Sequence, residues 1–367
     1  MIAIQDADTI ETPAIVVDLD ILDANLRRTA ALAANAGVKL RPHVKTHKNA
    51  WIAKRQLEYG AVGITVAKLG EAEVMADSGV DDILIAYPLV GAAKLKRLSE
   101  LMRRANVTVS VDHPDVVRGL SELGESLKRR IPLYVDVNTG LNRCGKEPGP
   151  ETAALVRELS RYPGVDIRGL MTHAGHAYGD KTPEAVRRTA RHEADSLVET
   201  RALLREWGIE VPEISVGSTP TSKFIGEQRG VTEMRPGAYV FGDRSQLSIG
   251  VIAQEECALG AWATVVGLPR PGTAIVDAGS KTISNDANPH VPGFGQWADD
   301  PRVVLARLSE EHGVVQVPDD VKLRIGQKML FIPNHCCAAV NLQDRLYGIR
   351  EGRLERTLEV DARGKIQ

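Results

Sequence analysis

Along the first two-thirds of the chain, short runs of apolar, often β-branched residues alternate with longer stretches whose apolar positions recur every three or four residues. The short runs predict strands at Ala14–Asp18 (AIVVD), Lys39–Val44 (KLRPHV), Gly63–Ala67 (GITVA), Asp82–Ala86 (DILIA), Val107–Asp112 (VTVSVD), Pro132–Asn138 (PLYVDVN), Asp166–His173 (DIRGLMTH) and Glu213–Gly217 (EISVG). Between them, segments such as LDANLRRTAALAANAG and PEAVRRTARHEADSLVETRALLREWG carry the helical spacing. Gly37, Gly60 and Gly79 stand where such helices would end. Strand and helix in alternation imply right-handed crossovers and a parallel sheet. About eight such units in about 240 residues match the size of a (β/α)8 barrel of the TIM type. An open doubly wound sheet competes, but no Gly-x-Gly-x-x-Gly loop follows the first run.

After Asp243 the rhythm changes. Runs such as CALGAWATVVGL, GTAIVDAG, QKMLFIPNH and RLYGIREGRLE read as strands between Gly, Pro and Asp turns, with no long amphipathic helix. The pattern divides the α/β chain into a barrel over residues 12–240 and a C-terminal β-rich domain over 241–367. Residues 1–11 are expected to pack with the second.

Composition narrows the functional classes. Forty-six Lys and Arg against 48 Asp and Glu leave a net charge of −2, giving no general attraction for nucleic acid or an anionic membrane. With 43% hydrophobic and 26% charged residues among 367, the chain can bury a substantial core. No run approaches the roughly 20 apolar residues of a membrane helix. The opening MIAIQDADTIETP has neither a basic nor an apolar leader region, and four cysteines are too few for a disulfide scaffold, so a cytoplasmic location is expected.

In a barrel, chemistry collects at the carboxyl ends of the strands. The second run closes on RPHVKTHK, where Lys45 near apolar walls and other cations would have a depressed pKa and a free amine for Schiff-base chemistry. A solvated basic loop explains the same residues. The sixth closes on NTGLNRCG, which offers Arg143 to an anionic oxygen, and the seventh on THAGHAY, with two imidazoles and a phenol. Ser215-Val-Gly-Ser-Thr-Pro-Thr221 and Arg235-Pro-Gly-Ala-Tyr239 follow the last strand; such small, hydroxyl-rich turns suit a phosphate. In PNHCC, His335 and Cys337 lie at i, i+2 and would share one face of a strand. That pair suits a zinc-like ion with open positions for substrate, and equally a packed cysteine pair.

Taken in order, RPHVKTHK, NTGLNRCG, HAGHAYG, SVGSTPT, RPGAYVFGDR, VDAGSK and PNHCC resemble the D-threonine aldolase and D-serine dehydratase family of fold-type III, alanine-racemase-like pyridoxal-phosphate (PLP) enzymes. The resemblance runs nearly end to end. It implies that Lys45 carries the cofactor and that Arg143 contacts its phenolic oxygen. It further places Tyr178 near the ring, and Ser218, Thr219, Gly237 and Tyr239 in the phosphate region. His335 and Cys337 would hold a divalent metal (zinc, manganese or magnesium), and metal-bound water, His176 or His47 would serve as the base for the β-hydroxyl. It also implies a homodimer, with each site between one barrel and the partner's β domain, acting on a small amino acid and on no nucleic acid or membrane. The activity implied is PLP- and metal-dependent retro-aldol cleavage of D-threonine-like β-hydroxy-D-amino acids to glycine and an aldehyde. D-serine dehydration to pyruvate and ammonia is the alternative. A metal-free amino-acid racemase and a non-enzymatic PLP carrier are more distant ones.

Overall fold

The computed structural model describes residues 9–367. Eight parallel strands form the first sheet: β2 (Lys39–Leu40), β3 (Ile64–Val66), β4 (Asp82–Ile85), β5 (Asn106–Val111), β6 (Ile131–Asp136), β7 (Val165–Met171), β8 (Glu213–Val216) and β9 (Glu233–Met234). Their order is β2-β9-β8-β7-β6-β5-β4-β3. A parallel bridge between His43 and Thr65 joins the two outer strands, so the sheet closes into a barrel. Alternate strand residues such as Ile83, Val109 and Val135 pack with the barrel helices in one large core, while Leu84, Tyr134 and Met171, on the opposite face of their strands, form a separate small cluster.

The barrel helices are α2 (Ala50–Glu58), α3 (Leu69–Asp77), α4 (Ala92–Leu101), α5 (Pro114–Ser126), α6 (Pro150–Leu159) and α7 (Pro183–Glu206), preceded by α1 (Leu19–Ala36). Each end has a local cause. In α1, the Asp18 carboxylate accepts from the Asp20 and Ile21 amides, both at 3.0 Å, and Gly37 closes the helix at φ +67°.

The strand β1 (Ala14–Asp18) corrects the sequence reading. It is not the first barrel strand and lies outside the 12–240 boundary in function, because it pairs antiparallel with β10 (Leu259–Arg270) and parallel with β16 (Arg345–Arg350) in the second sheet. Its residues are buried on both faces, a pattern that a barrel strand and a central sheet strand share. The missing barrel strand is β9, whose two residues are too short to show any period.

The remaining strands are β11 (Thr273–Val276), β12 (Gly295–Trp297), β13 (Val304–Leu308), β14 (Gly313–Gln316), β15 (Lys328–Pro333) and β17 (Arg353–Glu359). Strands β10, β11, β14, β13, β12 and β15 close into an antiparallel barrel, and β1, β16 and β17 continue the sheet from the free edge of β10. Ile10 is buried with Trp262, Ala298 and Leu330 of the second domain; of residues 1–11, positions 1–8 lie outside the described part. A shared apolar core joins the two domains, with Leu19, Leu22, Leu26 and Ile52 packed beside Tyr239, Phe241 and Phe331.

Candidate active site

The segment after β2 is held from both sides. The Arg41 amide donates to Met234 O at 3.0 Å and the His43 amide to Pro236 O at 2.9 Å, while the Thr65 amide donates to Pro42 O at 2.8 Å. A turn of 3-10 helix over Val44–Thr46 then swings Lys45 into a cavity of about 490 Å³ at the barrel mouth. Burial is the largest influence on its amine and lowers the pKa, with Arg143 adding in the same direction; Cys337 and Glu71 oppose. The net depression favours the neutral, nucleophilic amine.

Around Lys45, Arg143 reaches the cavity from a loop curled by Asn138, whose Oδ1 accepts from the amides of Gly140 (3.2 Å) and Asn142 (3.0 Å). Tyr178, Ser218, Thr219 and Gly237 line the same space. Thr219 and Ala238 each open a helical turn, where backbone N–H groups lack partners within the turn. The Thr219 hydroxyl accepts from the Gly237 amide at 3.2 Å, tying the two turns together. A Cβ on Gly237 would stand 2.8 Å from Thr46 Oγ1 and 2.9 Å from His43 O, so glycine is what lets this turn lie against the Lys45 segment.

Several cavity residues carry no signal in single-sequence spacing. Arg235 is buried, 5% exposed, and its guanidinium donates to Ser215 Oγ and Thr172 O. His43 and His173 also line the cavity. Burial, then the charge of Lys45, pushes His43 well below the usual imidazole range and His173 down to about 3, so both are neutral at pH 7. His173 Nδ1 sits 3.0 Å from Gly217 O, a bond that requires Nδ1 to donate and leaves Nε2 with its lone pair. His43 Nδ1 instead accepts from the Lys45 amide at 3.4 Å.

Three sequence assignments change. His47 is fully buried, lies 3.3 Å from Gln56 Oε1, accepts the Asn49 amide and has its pKa lowered to about 4 by burial; it does not border the cavity. His176 packs its ring on Gly140, and its buried Nδ1 has no partner; it too lies off the cavity. Tyr239 points into the core between the domains, where its hydroxyl accepts from Gln56 Nε2 at 3.0 Å, while its neighbour Ala238 lines the site. In each case the motif is at the rim but a helical turn aims the side chain away.

His335 and Cys337 reach the cavity from the end of β15 and the following turn, together with Thr46, whose hydroxyl lies 3.2 Å from Cys337 Sγ and donates to the ionised sulfur. The chain's own β domain supplies this wall of the cavity. Fully buried Asp243 places Oδ2 3.2 Å from His335 Nδ1. A hydrogen bond from Cys336 and then the charge of His335 hold the Cys337 thiol well below its ordinary range, against burial. His335 rises to about 11, chiefly through the Cys337 charge. Among the described residues no three His, Cys, Asp or Glu side chains form a complete metal shell.

The donors nonetheless fit the two implied groups. A depressed lysine amine, a buried guanidinium and paired turns in a cavity of this size suit a small phosphorylated ring. An imidazole oriented by a carboxylate next to an ionised thiol suits a divalent ion with open positions.

A parallel barrel with a lysine at its mouth and an antiparallel β domain closing the site defines an alanine-racemase-like enzyme. The family model described as alanine racemase, N-terminal domain, matches residues 17–245, and a second, for a serine dehydratase domain, matches 258–349. The chain belongs to this family, and it is a PLP-dependent lyase. It is 36% identical to D-threo-3-hydroxyaspartate dehydratase of Delftia sp. strain HT23, over 90% of this chain and 92% of that protein. It is 34% identical to a D-threonine aldolase of Arthrobacter, over 97% and 93%. The solved D-threonine aldolase of Filomicrobium marinum superposes with a TM-score of 0.91 at 34% identity, covering 100% of this chain and 99% of that one. The Delftia enzyme has also been solved with a histidine, or a cysteine two positions later, replaced by alanine, the cysteine variant in a metal-free form. Among the described residues no helix is long and apolar enough to cross a membrane.

Proposed function

We propose that this chain is a PLP- and divalent-metal-dependent lyase that cleaves β-hydroxy-D-amino acids of the D-threonine type to glycine and an aldehyde. The observation that carries the proposal is that Lys45 and the His335–Cys337 pair border one cavity, joined through Thr46. When bound, the cofactor supplies an electron sink for negative charge at Cα, and the metal acidifies a hydroxyl. Lys45 would hold the cofactor's aldehyde end, Arg143 and Tyr178 would contact it, and the turns at Ser218–Thr219 and Gly237–Ala238 would hold its phosphate. His335 and Cys337 would hold the ion, with Asp243 orienting the imidazole through Nδ1 and the ring giving up its other proton on binding. Retro-aldol cleavage needs an acceptor for the β-hydroxyl proton, and His173 Nε2 is the neutral cavity imidazole nitrogen whose lone pair is free. The spacing of the Delftia His and Cys variants equals that of His335 and Cys337 and supports the metal assignment.

Dehydration is the second reading, favoured by the 36% identity to the Delftia dehydratase. There the Lys45 amine takes the Cα proton and the β-hydroxyl leaves as water. Product analysis with D-threonine and D-serine, with and without chelator, tests both. Glycine plus acetaldehyde, lost on chelation, is expected; 2-oxobutanoate or pyruvate with ammonia would make the enzyme a dehydratase. Activity on neither substrate would end the lyase assignment for this class. We propose further that the protein is a cytoplasmic homodimer acting on small molecules, so sedimentation should give twice 39.8 kDa.

A further inference from the structure

The β-domain wall of the cavity carries an ionisable side chain that neither the cofactor nor the metal pair uses. Asp286 lies in the segment between the helical turn Ser280–Ile283 and β12, and it lines the cavity with Ala287 and Pro289. The segment is pinned at several points. The Asp286 amide donates to Ser284 Oγ at 3.3 Å, and Asn334 Nδ2 donates to Asp286 O at 2.9 Å and to Gly293 O at 2.8 Å. Asn288 Nδ2 donates to Ser248 Oγ at 3.2 Å, and His290 Nε2 lies 3.0 Å from Tyr178 O. Because Asn334 immediately precedes His335, these bonds set Asp286 on the metal-pair side of the cavity. Its carboxylate has no hydrogen bond or ion pair among the described residues.

We propose that Asp286 is a specificity determinant that favours β-hydroxy-D-amino acids with a neutral or cationic β-substituent and disfavours a β-carboxylate. The inference rests on the lyase reading above. If the β-hydroxyl is held at His335 and Cys337, the other substituent of the same carbon faces the wall that carries Asp286. Asp286 stands at the solvent-exposed rim of the cavity, where a second carboxylate would be repelled, and among the described residues no unspent cation stands on that wall to offset it. The guanidinium on that side, Arg244, is buried and directs its donors to Gln296 Oε1 (3.0 Å), Pro292 O (2.6 Å) and Asn334 Oδ1 (3.2 Å). Arg235 is tied to Ser215 and Thr172, and Arg143 enters from the barrel rim. The relatives part on this point, since three are named for 3-hydroxyaspartate and the Arthrobacter and Filomicrobium enzymes for D-threonine.

The test uses holoenzyme, wild type and Asp286→Asn, with two readouts. The first is kcat/KM for D-threonine and for D-threo-3-hydroxyaspartate. The second is the dissociation constant of the non-cleavable analogues D-2-aminobutyrate and D-aspartate, from the change in the visible cofactor band. Asp286→Asn should shift both ratios toward the dicarboxylate by about tenfold, the size of one removed like-charge contact of about 1.4 kcal/mol, and Asp286→Glu should keep the wild-type preference. Unmoved ratios with D-threonine cleavage intact would overturn this proposal alone. A wild type that already prefers the dicarboxylate, or loss of bound metal in Asp286→Asn, would also overturn it. A wild type that turns over neither amino acid would overturn the lyase reading and this proposal with it.

Discussion

At the scale of single residues, the site is built on two groups whose charge states are set by what surrounds them. Lys45 is kept toward its neutral form by burial, and Cys337 toward its ionised form by Cys336 and His335. These are opposite demands on two side chains in one cavity, and they separate experimentally. Lys45→Ala is expected to lose the visible cofactor band and at least about a thousandfold in kcat/KM, since no other cavity residue offers an amine. Cys337→Ala should keep the band while losing bound metal and most turnover, by metal analysis of the purified protein. A Cys337→Ala variant that retains full activity would show that the pair does not hold the ion. Lys45, Arg143, His335 and Cys337 were legible because a motif fixes their place at a strand end. His47 and His176 misled because each sits one helical turn away from that end, and the direction of a side chain within a turn is not written in spacing. His43 and His173 stand in the same motifs at the strand ends themselves, but spacing does not say which of two neighbouring imidazoles turns into the cavity.

At the scale of elements, the phosphate-side turns depend on what lies behind them. Helix α7 places Glu193, fully buried, with Oε2 accepting from the Gly217 amide at 3.3 Å and Oε1 from Gln228 Nε2 at 3.0 Å. Burial raises its pKa to about 7 from 4.5, although Thr221, Gln228 and Arg235 pull the other way. The folded state therefore binds this proton more tightly than the unfolded chain. Below about pH 4.5 both states are protonated and the group costs nothing; between about 4.5 and 7 stability falls as pH rises, by about 3 kcal/mol at most. Urea midpoints at pH 5 and pH 8 should drop less in Glu193→Gln than in wild type. Equal drops would mean that the carboxyl does not titrate there. On the facing turn, Gly237→Ala puts a methyl against Thr46 and His43 O. Cofactor affinity should fall about tenfold, read by equilibrium dialysis, because the turn must retreat from the Lys45 segment. The element scale is also where the sequence was least informative. Strands β2 and β9 have two residues each, and their places come from pairing across the closed barrel rather than from any run of their own. Strand β1 has a run that reads correctly as a strand, yet its sheet is decided by β10 and β16, more than two hundred residues downstream.

At the scale of the whole molecule, the segment that carries Lys45 is stitched to the β domain just after the lysine. Asn49 joins three elements: its Oδ1 accepts from the Ile52 amide at 2.7 Å, capping α2, its Nδ2 donates to Glu359 O at 2.6 Å at the end of β17, and its amide donates to His47 Nδ1 at 3.1 Å. The Ala50 amide donates to Asp361 Oδ2 at 2.7 Å, and the Ala362 amide to Lys48 O at 3.0 Å. From His47 the bonds continue through Gln56 to Tyr239, so the buried histidine that does no chemistry links the lysine segment to the RPGAY turn. Asn49→Ala deletes a helix cap and a buried bond across the domain junction together. The expected cost is about 2 kcal/mol, one part for the cap and a similar part for the carbonyl of Glu359 left without its donor. Asn49→Asp keeps the cap but cannot donate to that carbonyl, so it should recover the helix without recovering the junction. If the junction is what fixes Lys45 against the metal wall, both variants should release cofactor at a lower temperature than wild type when the visible band is followed on heating. Asn49→Asp matching wild type would confine the role of Asn49 to its own helix, and the two halves of the cavity would then be held together by the shared apolar core alone.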